Sequence, residues 1–188
     1  DDLHADAPER PDLGKAETLI ELLGRLHDAE RKVIVFTQFR RMGELLQHWS
    51  ERETGARPDF LHGGVSRPGR QAMVDRFQTD RSARVIIVSL KAGGTGLNLT
   101  AASAVIHYDL WWNPAVEQQA TDRAYRIGQR RDVLVYRCVT AGTFEEKINR
   151  MLLEKRELAN LAVSAGETWI GDLPEESLRD FLSFSETF

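Results

Sequence analysis

Short apolar runs alternate with stretches of helical periodicity along most of the chain. Two apolar runs rich in β-branched side chains, 33–36 and 85–88, predict strands buried on both faces, and the runs 104–108 and 133–136 predict two further strands. A shorter strand is predicted at Phe60 and Leu61, just before the turn His62-Gly63-Gly64. The pattern therefore predicts a sheet whose strands are separated by helices.

Apolar residues at three- and four-residue spacing predict those helices. They cover about 16–26, 41–53 and 68–77, and a fourth helix is predicted to begin at Asn113-Pro114 and to end at Gly128. A long helix is predicted from Thr143 to Leu161, because Thr143 and Glu146 have capping-box spacing, and a short one over 174–183. This alternation indicates an α/β fold with a mainly parallel sheet, helices on both faces and ligands at the carboxyl ends of the strands.

Composition narrows the class of protein. The chain has 188 residues, of which 41% are hydrophobic, so it can bury a core, and no apolar run is long enough to cross a bilayer. A single cysteine and the acidic first residues, which do not resemble a signal peptide, lead us to expect a reducing, cytosolic setting without a metal site.

Charge is distributed unevenly. Residues 1–12 carry a net charge of −4 and residues 165–188 a net charge of −5, so residues 13–164 carry +5 within an overall charge of −4. The basic residues are 20 arginines and 5 lysines. Arginine suits forked recognition of phosphate, although codon bias would produce the same ratio.

The predicted helix after Asn113 carries Gln119, Arg123 and Arg126. Arginines three residues apart lie on one helical face, with Gln119 one turn earlier, and this grouping suits a polyphosphate. The alternative is that arginines near a helix C-terminus are favoured by the helix dipole and are merely solvated.

The loop from Lys91 to Asn98 contains three glycines, which let backbone N–H groups approach an anion, or which simply form a tight turn. The sequence has no G-x-x-x-x-G-K-[ST] phosphate loop, and no acidic pair follows a strand so as to hold magnesium. If this chain binds a nucleotide, it therefore provides half of the site.

Other polar and aromatic residues follow the strands. The side chains of Thr37-Gln38-Phe39 and of Ser66-Arg67 could contact phosphate or cap helices, and one of Trp111 and Trp112 could be exposed for DNA. Three further residues are interpreted as structural or inert: His62, His107 and Cys138.

Five segments in this order resemble the second RecA-like lobe of Swi/Snf-type ATPases, the double-stranded-DNA translocases of helicase superfamily two. They are the segments 33–39, 62–67, 89–99, 109–114 and 119–129, and the resemblance covers roughly residues 14–163. The acidic stretch from Leu173 to Phe184 resembles the ends of bacterial members. Tyr125 departs from the family, which usually has histidine there.

The resemblance implies a role for each matching residue. Arg123 and Arg126 would be arginine fingers that reach the γ-phosphate of ATP, and Gln119 would sense that phosphate. Gly94 and Gly96 would line the cleft. The DNA backbone would be contacted by Thr37, Gln38, Ser66, Arg67, Lys91 and Thr95, and a groove by Trp112.

The resemblance also implies the organisation of the protein. Residues 1–13 would be a linker from an upstream first lobe, 14–142 the second RecA-like lobe, 143–163 a brace helix and 164–188 an acidic tail. ATP with magnesium would be bound mainly by that first lobe, so this chain alone is expected to be inactive. The expected partners are double-stranded DNA, the first lobe and a protein substrate on DNA, with no membrane, in the cytoplasm or on the nucleoid.

Two alternatives remain open. One is a nucleic-acid or protein docking module that has a RecA-like fold but no motor activity. The other is a self-contained α/β enzyme. Gln119, Arg123 and Arg126 argue against the first, and the missing phosphate loop and the lack of a Ser/His/Asp cluster argue against the second.

Overall fold

The protein, described here from a computed structural model, is built around a five-stranded sheet. The structure describes residues 14–90, 97–111, 114–125 and 132–165, without the side chains of Pro114 and 155–165. The strands are β1 (Val33–Thr37), β2 (Asp59–Leu61), β3 (Val85–Ser89), β4 (Ala104–His107) and β5 (Leu134–Arg137). Their order is β2-β3-β1-β4-β5 and every pairing is parallel, which confirms the predicted α/β fold.

Five helices lie among the described residues; three of them connect strands, one precedes the first strand and one follows the last. They are α1 (Gly14–Asp28), α2 (Arg40–Thr54), α3 (Arg67–Thr79), α4 (Pro114–Thr121) and α5 (Phe144–Ala165). Local signals explain several of their ends. Gly55 follows α2 with a φ of 72°, the left-handed conformation that glycine adopts without strain, and Ser66 accepts a hydrogen bond from the Gly69 amide at the start of α3.

Alternate residues of each central strand pack into separate cores on the two faces of the sheet. Val33 and Val35 of β1 meet α1 and α2 on one face, whereas Ile34 and Phe36 meet α3 and α4 on the other. All five residues of β1 and of β3 are buried. The continuous apolar runs in the sequence thus correspond to strands covered on both sides.

The fourth helix is shorter than predicted. It ends at Thr121 instead of continuing to Gly128, and residues 122–124 form a turn. The amides of Arg123 and Ala124 donate to carbonyls three residues earlier, Ala120 and Thr121, rather than four. This tighter turn is favoured because the Arg123 carbonyl accepts a hydrogen bond from the Leu99 amide, at 3.0 Å.

The last helix begins as predicted, with a different capping arrangement. Thr143 precedes α5 and its hydroxyl accepts from the Glu145 amide at 3.3 Å, while the Glu146 carboxylate accepts from the Gly142 amide at 2.9 Å. The chain divides into two compact units, Asp1–Ile148 and Asn149–Phe188. The described part of the second unit is the helical stretch 149–165. The predicted 174–183 helix, the linker 1–13 and most of the acidic tail lie outside the described residues.

Candidate functional site

The carboxyl ends of the five strands lie at one edge of the sheet, because all the strands are parallel. Six of the predicted site residues are described, and they lie on segments that follow or pack against these strand ends: Thr37, Gln38, Ser66, Arg67, Gln119 and Arg123. This edge is therefore the candidate site.

The ends of β1 and β4 are joined by hydrogen bonds to the segment after β4. The buried Thr37 hydroxyl donates to Asp109 Oδ2 at 2.5 Å, and the Gln38 amide donates to the same oxygen at 3.0 Å. The Gln38 side-chain amide donates to the Leu110 carbonyl at 2.6 Å. Phe39 comes next and is 61% exposed. The Thr37 side chain thus holds Asp109 in place and has no exposed surface of its own.

The turn after β2 is held by its own polar groups. His62 Nδ1 accepts from the Gly64 amide at 3.1 Å. The Arg70 guanidinium donates to the carbonyls of Val65 at 2.9 Å and Gly63 at 3.1 Å. Arg67, the first residue of α3, follows this turn, and its side chain is exposed.

Two polar contacts attach α4 to the ends of β4 and β5. Glu117 forms an ion pair with Arg137, with 2.7 Å between Nε and Oε1, and both side chains are mostly buried. The Thr121 hydroxyl lies 3.0 Å from Nε2 of His107. His107 is completely buried, and desolvation together with the nearby Arg137 charge lowers its pKa to about 4, so the imidazole is neutral.

Arg123 follows directly, in the turn after α4. Its Nε and Nη1 atoms are buried, and no residue in the described ranges offers them a hydrogen-bond acceptor. No carboxylate of the described residues forms an ion pair with it either. Burial lowers the pKa of Arg123 from its ordinary value. A partly desolvated guanidinium without a counter-charge is an arrangement that an incoming anion would stabilise.

Comparison with known proteins identifies the family of this chain. The helicase conserved C-terminal domain family matches residues 14–128, which is more than half of the chain. The C-terminal domain of the Sulfolobus solfataricus SWI2/SNF2 ATPase has a TM-score of 0.63 at 37% identity, covering 88% of this chain and 67% of that one. This chain belongs to the helicase C-terminal domain family and is the second RecA-like lobe of a Swi2/Snf2-type ATPase.

Other relatives carry the same lobe within much longer proteins. YwqA of Bacillus subtilis, which bears the provisional name of an ATP-dependent helicase/translocase, is 45% identical over 173 residues, covering 92% of this chain and 18% of YwqA. The mouse chromatin-remodeling ATPase INO80 is 42% identical over 157 residues, covering 82% of this chain and 10% of INO80. This lobe therefore spans less than a fifth of these curated relatives.

A related solved structure contains DNA. The S. solfataricus SWI2/SNF2 ATPase core in complex with double-stranded DNA has a TM-score of 0.66 at 40% identity, covering 88% of this lobe and 35% of that chain. The predicted resemblance to Swi/Snf-type ATPases is thus confirmed in both sequence and fold.

The structure describes some of the predicted site residues and not others. Gln119 is exposed on α4, and Trp111 is half-buried. The prediction that Arg123 and Arg126 share one helical face is wrong for Arg123, which lies beyond the end of α4. Six predicted residues lie outside the described ranges: Lys91, Gly94, Thr95, Gly96, Trp112 and Arg126.

Sequence reasoning missed the residues that attach α4 to the ends of β4 and β5. His107 was interpreted only as structural, and Glu117, Thr121 and Arg137 were not singled out. Their contacts join positions 14 to 20 residues apart, so no local spacing reveals them. The one available signal was a histidine at the end of an otherwise apolar strand, where a buried polar group needs a partner.

Within the described ranges, no cluster of three histidine, cysteine, aspartate or glutamate side chains could hold a metal ion. No helix among these residues is long and apolar enough to cross a membrane.

Proposed function

We propose that this lobe supplies arginine charge to the triphosphate of an ATP molecule held by a first lobe, and that the full-length protein is an ATP-dependent translocase on double-stranded DNA. The observation that carries the proposal is the Arg123 guanidinium, which is partly desolvated and unpaired with any described residue at the carboxyl edge of the sheet. The ATP-dependent relatives YwqA and INO80 support it.

Arg123 and Arg126 act as the arginine fingers. Positive charge placed beforehand near the transferred phosphoryl group stabilises the charge that develops there, an effect of about 10³–10⁵ in rate for fingers of this kind. Gln119 senses the γ-phosphate, and Gly94 and Gly96 line the cleft. Magnesium bound with the ATP would neutralise phosphate charge, and we assign its protein ligands to the first lobe.

The same edge contacts the DNA backbone. Gln38, Ser66 and Arg67 follow strand ends, and the exposed Arg67 carries the charge that a phosphate needs. Lys91, Thr95 and Trp112, which lie outside the described residues, are assigned DNA contacts from the resemblance alone. Thr37 contributes by holding Asp109, because its hydroxyl is buried. The related ATPase core in complex with double-stranded DNA supports this assignment. Contact through phosphates makes binding sensitive to salt and tolerant of sequence.

The remaining parts of the proposal concern the whole protein. Helix α5 braces the two lobes, and closing and reopening of the cleft moves this lobe along one DNA strand. The protein works in the cytoplasm, or on the nucleoid in a bacterium, and displaces or moves a protein bound to DNA.

The test is DNA-stimulated ATP hydrolysis by the full-length protein. We expect Arg126→Ala to abolish stimulated hydrolysis and Arg123→Ala to lower it at least about a thousandfold, to a measurable residual rate. ATP binding, measured with a fluorescent analogue, should be retained in both variants. Arg52→Ala, an exposed arginine in the last turn of α2, is the matched control and should leave the rate unchanged. Full activity of the Arg123 and Arg126 variants would contradict the finger assignment. A full-length protein that binds DNA but hydrolyses no ATP would favour the docking module.

A further inference from the structure

The hydroxyl of Thr121 occupies the point where α4 ends and the Arg123 turn begins. It lies 3.0 Å from the Glu117 carbonyl oxygen, to which it donates, and 3.0 Å from Nε2 of His107. A hydroxyl has a single hydrogen to donate, so the contact with His107 requires that Nε2–H donates to the Thr121 oxygen. Thr121 is thus tied both to its own helix and to the sheet.

His107 is a rigid anchor for this contact. It is the last residue of β4, is fully buried, and stacks on Phe36 with ring centroids 5.4 Å apart and planes at 16°. Because Phe36 itself belongs to the central strand, the imidazole cannot turn without disturbing the core on that face of the sheet.

A second anchor holds the same helix one turn earlier. Glu117 pairs with Arg137 at the end of β5 through Nε–Oε1 at 2.7 Å and Nη2–Oε2 at 3.3 Å. The apolar contacts of α4 and the following turn come from the buried methyl groups of Ala120 and Ala124. Methyl groups are small and their contacts non-directional, so the directional polar contacts determine how the end of α4 is oriented.

Arg123 lies two residues beyond Thr121, and its carbonyl is bonded to the Leu99 amide. We propose that Thr121, held by His107, is a positioning residue that orients Arg123 for the phosphate of ATP. The inference rests on the proposed function, because it concerns the same arginine. Misplacing a group by about 1 Å can cost about a hundredfold in rate, so a contact this close to Arg123 affects the chemistry.

Thr121 offers a matched pair of substitutions in the full-length protein. Thr121→Val keeps the shape and removes the hydroxyl, whereas Thr121→Ser keeps the hydroxyl. We expect Thr121→Val to lower kcat of DNA-stimulated ATP hydrolysis about ten- to a hundredfold with KM for ATP nearly unchanged, because the fingers act in the transition state. Thr121→Ser should remain close to the wild-type kcat.

A double-mutant cycle separates positioning from mere stability. In an Arg123→Ala background, Thr121→Val should cause no further loss of kcat, since the contact acts through Arg123. If Thr121→Val does not fold, His107→Phe serves instead, because it keeps an aromatic ring next to Phe36 and removes the Nε2 donor together with Nδ1, which has no hydrogen-bond partner among the described residues.

The outcomes are distinguishable. An unchanged kcat in Thr121→Val, or an equal further loss in the Arg123→Ala background, would overturn the positioning role while leaving the arginine finger in place. Full activity of Arg123→Ala alone would overturn the proposed function and this inference with it.

Discussion

Gly43 lies in the first turns of α2, four residues after the exposed Phe39, where the helix passes directly over β2. A Cβ atom added at Gly43 would lie 2.5 Å from Cε2 and 2.6 Å from Cε1 of Phe60, and closer still to Cζ. Real Cβ atoms do not approach carbon this closely. Phe60 is 5% exposed and its ring also meets His62, so it has no free space to move into. The close approach of α2 to the sheet therefore depends on glycine.

Two effects oppose each other in Gly43→Ala. Alanine is favoured over glycine within a helix by about 0.5–1 kcal/mol, whereas overpacking a filled core costs about 1–3 kcal/mol. Because the added atom would overlap a buried ring, the cost belongs in the upper part of that range, about 2–3 kcal/mol, and we expect a net loss of about 1–2.5 kcal/mol. Gly24, in the middle of α1, is the matched control. Its added Cβ would meet only the Glu53 carboxylate, at 2.6 Å from Oε1, at the end of a flexible exposed side chain. Gly24→Ala should gain about 0.5–1 kcal/mol.

Urea unfolding of this chain, followed by circular dichroism, measures both changes. The same substitution should shift the free energy of unfolding in opposite directions at the two positions. The loss in Gly43→Ala should shrink when Phe60 is also replaced by leucine, since the two residues are in contact. A Gly43→Ala variant as stable as the wild type would refute the reasoning, because it would mean that the helix and strand can separate freely.

Three further predictions concern function and pH. This chain alone should hydrolyse no ATP above background in a phosphate-release assay, and measurable turnover would contradict the half-site. Arg67→Ala in the full-length protein should weaken binding to duplexes of unrelated sequence to a similar extent and reduce the salt dependence of binding, as followed by fluorescence anisotropy. The pKa of His107 is lowered from 6.5 to about 4, so between these pH values the unfolded state binds more protons than the folded state. The contribution of His107 to the free energy of unfolding, on the order of 3 kcal/mol, should therefore be complete above about pH 6.5 and be lost as the pH falls toward 4. Urea midpoints at pH 7 and pH 5 should therefore differ less in His107→Phe than in the wild type.

Most helices and strands of this lobe can be predicted from the sequence, because the residues that each element buries recur at a regular spacing along the chain. The continuous apolar runs 33–36 and 85–88 correspond to strands with every residue buried, and the three- and four-residue spacing of 16–26 corresponds to the buried face of α1. The five segments 33–39, 62–67, 89–99, 109–114 and 119–129 were specific enough to indicate the Swi/Snf-type lobe, which the family match confirms.

The end of α4 shows where this reasoning fails. The sequence 114–128 has helical spacing and a glycine at its end, yet the helix ends at Thr121, because the Leu99 amide captures the Arg123 carbonyl. Leu99 is 24 residues away in the chain, so the helix propensity and spacing of residues 114–128 carry no information about this contact. The assignment of Arg123 to the site stays a prediction, whereas the prediction that it lies within a helix is wrong.

By itself, the sequence determined the positions of the strands, the positions of the helices apart from the end of α4, and the family, since each depends on residue type and local spacing. Only the tertiary structure decided that Thr37 is buried against Asp109, that His107 and Arg137 hold α4, and that Arg123 has no described counter-charge. These contacts depend on the order β2-β3-β1-β4-β5, which places β4 and β5 side by side beneath α4. Strand order is settled by how the whole set of apolar faces packs, and therefore by interactions that no single stretch of chain contains.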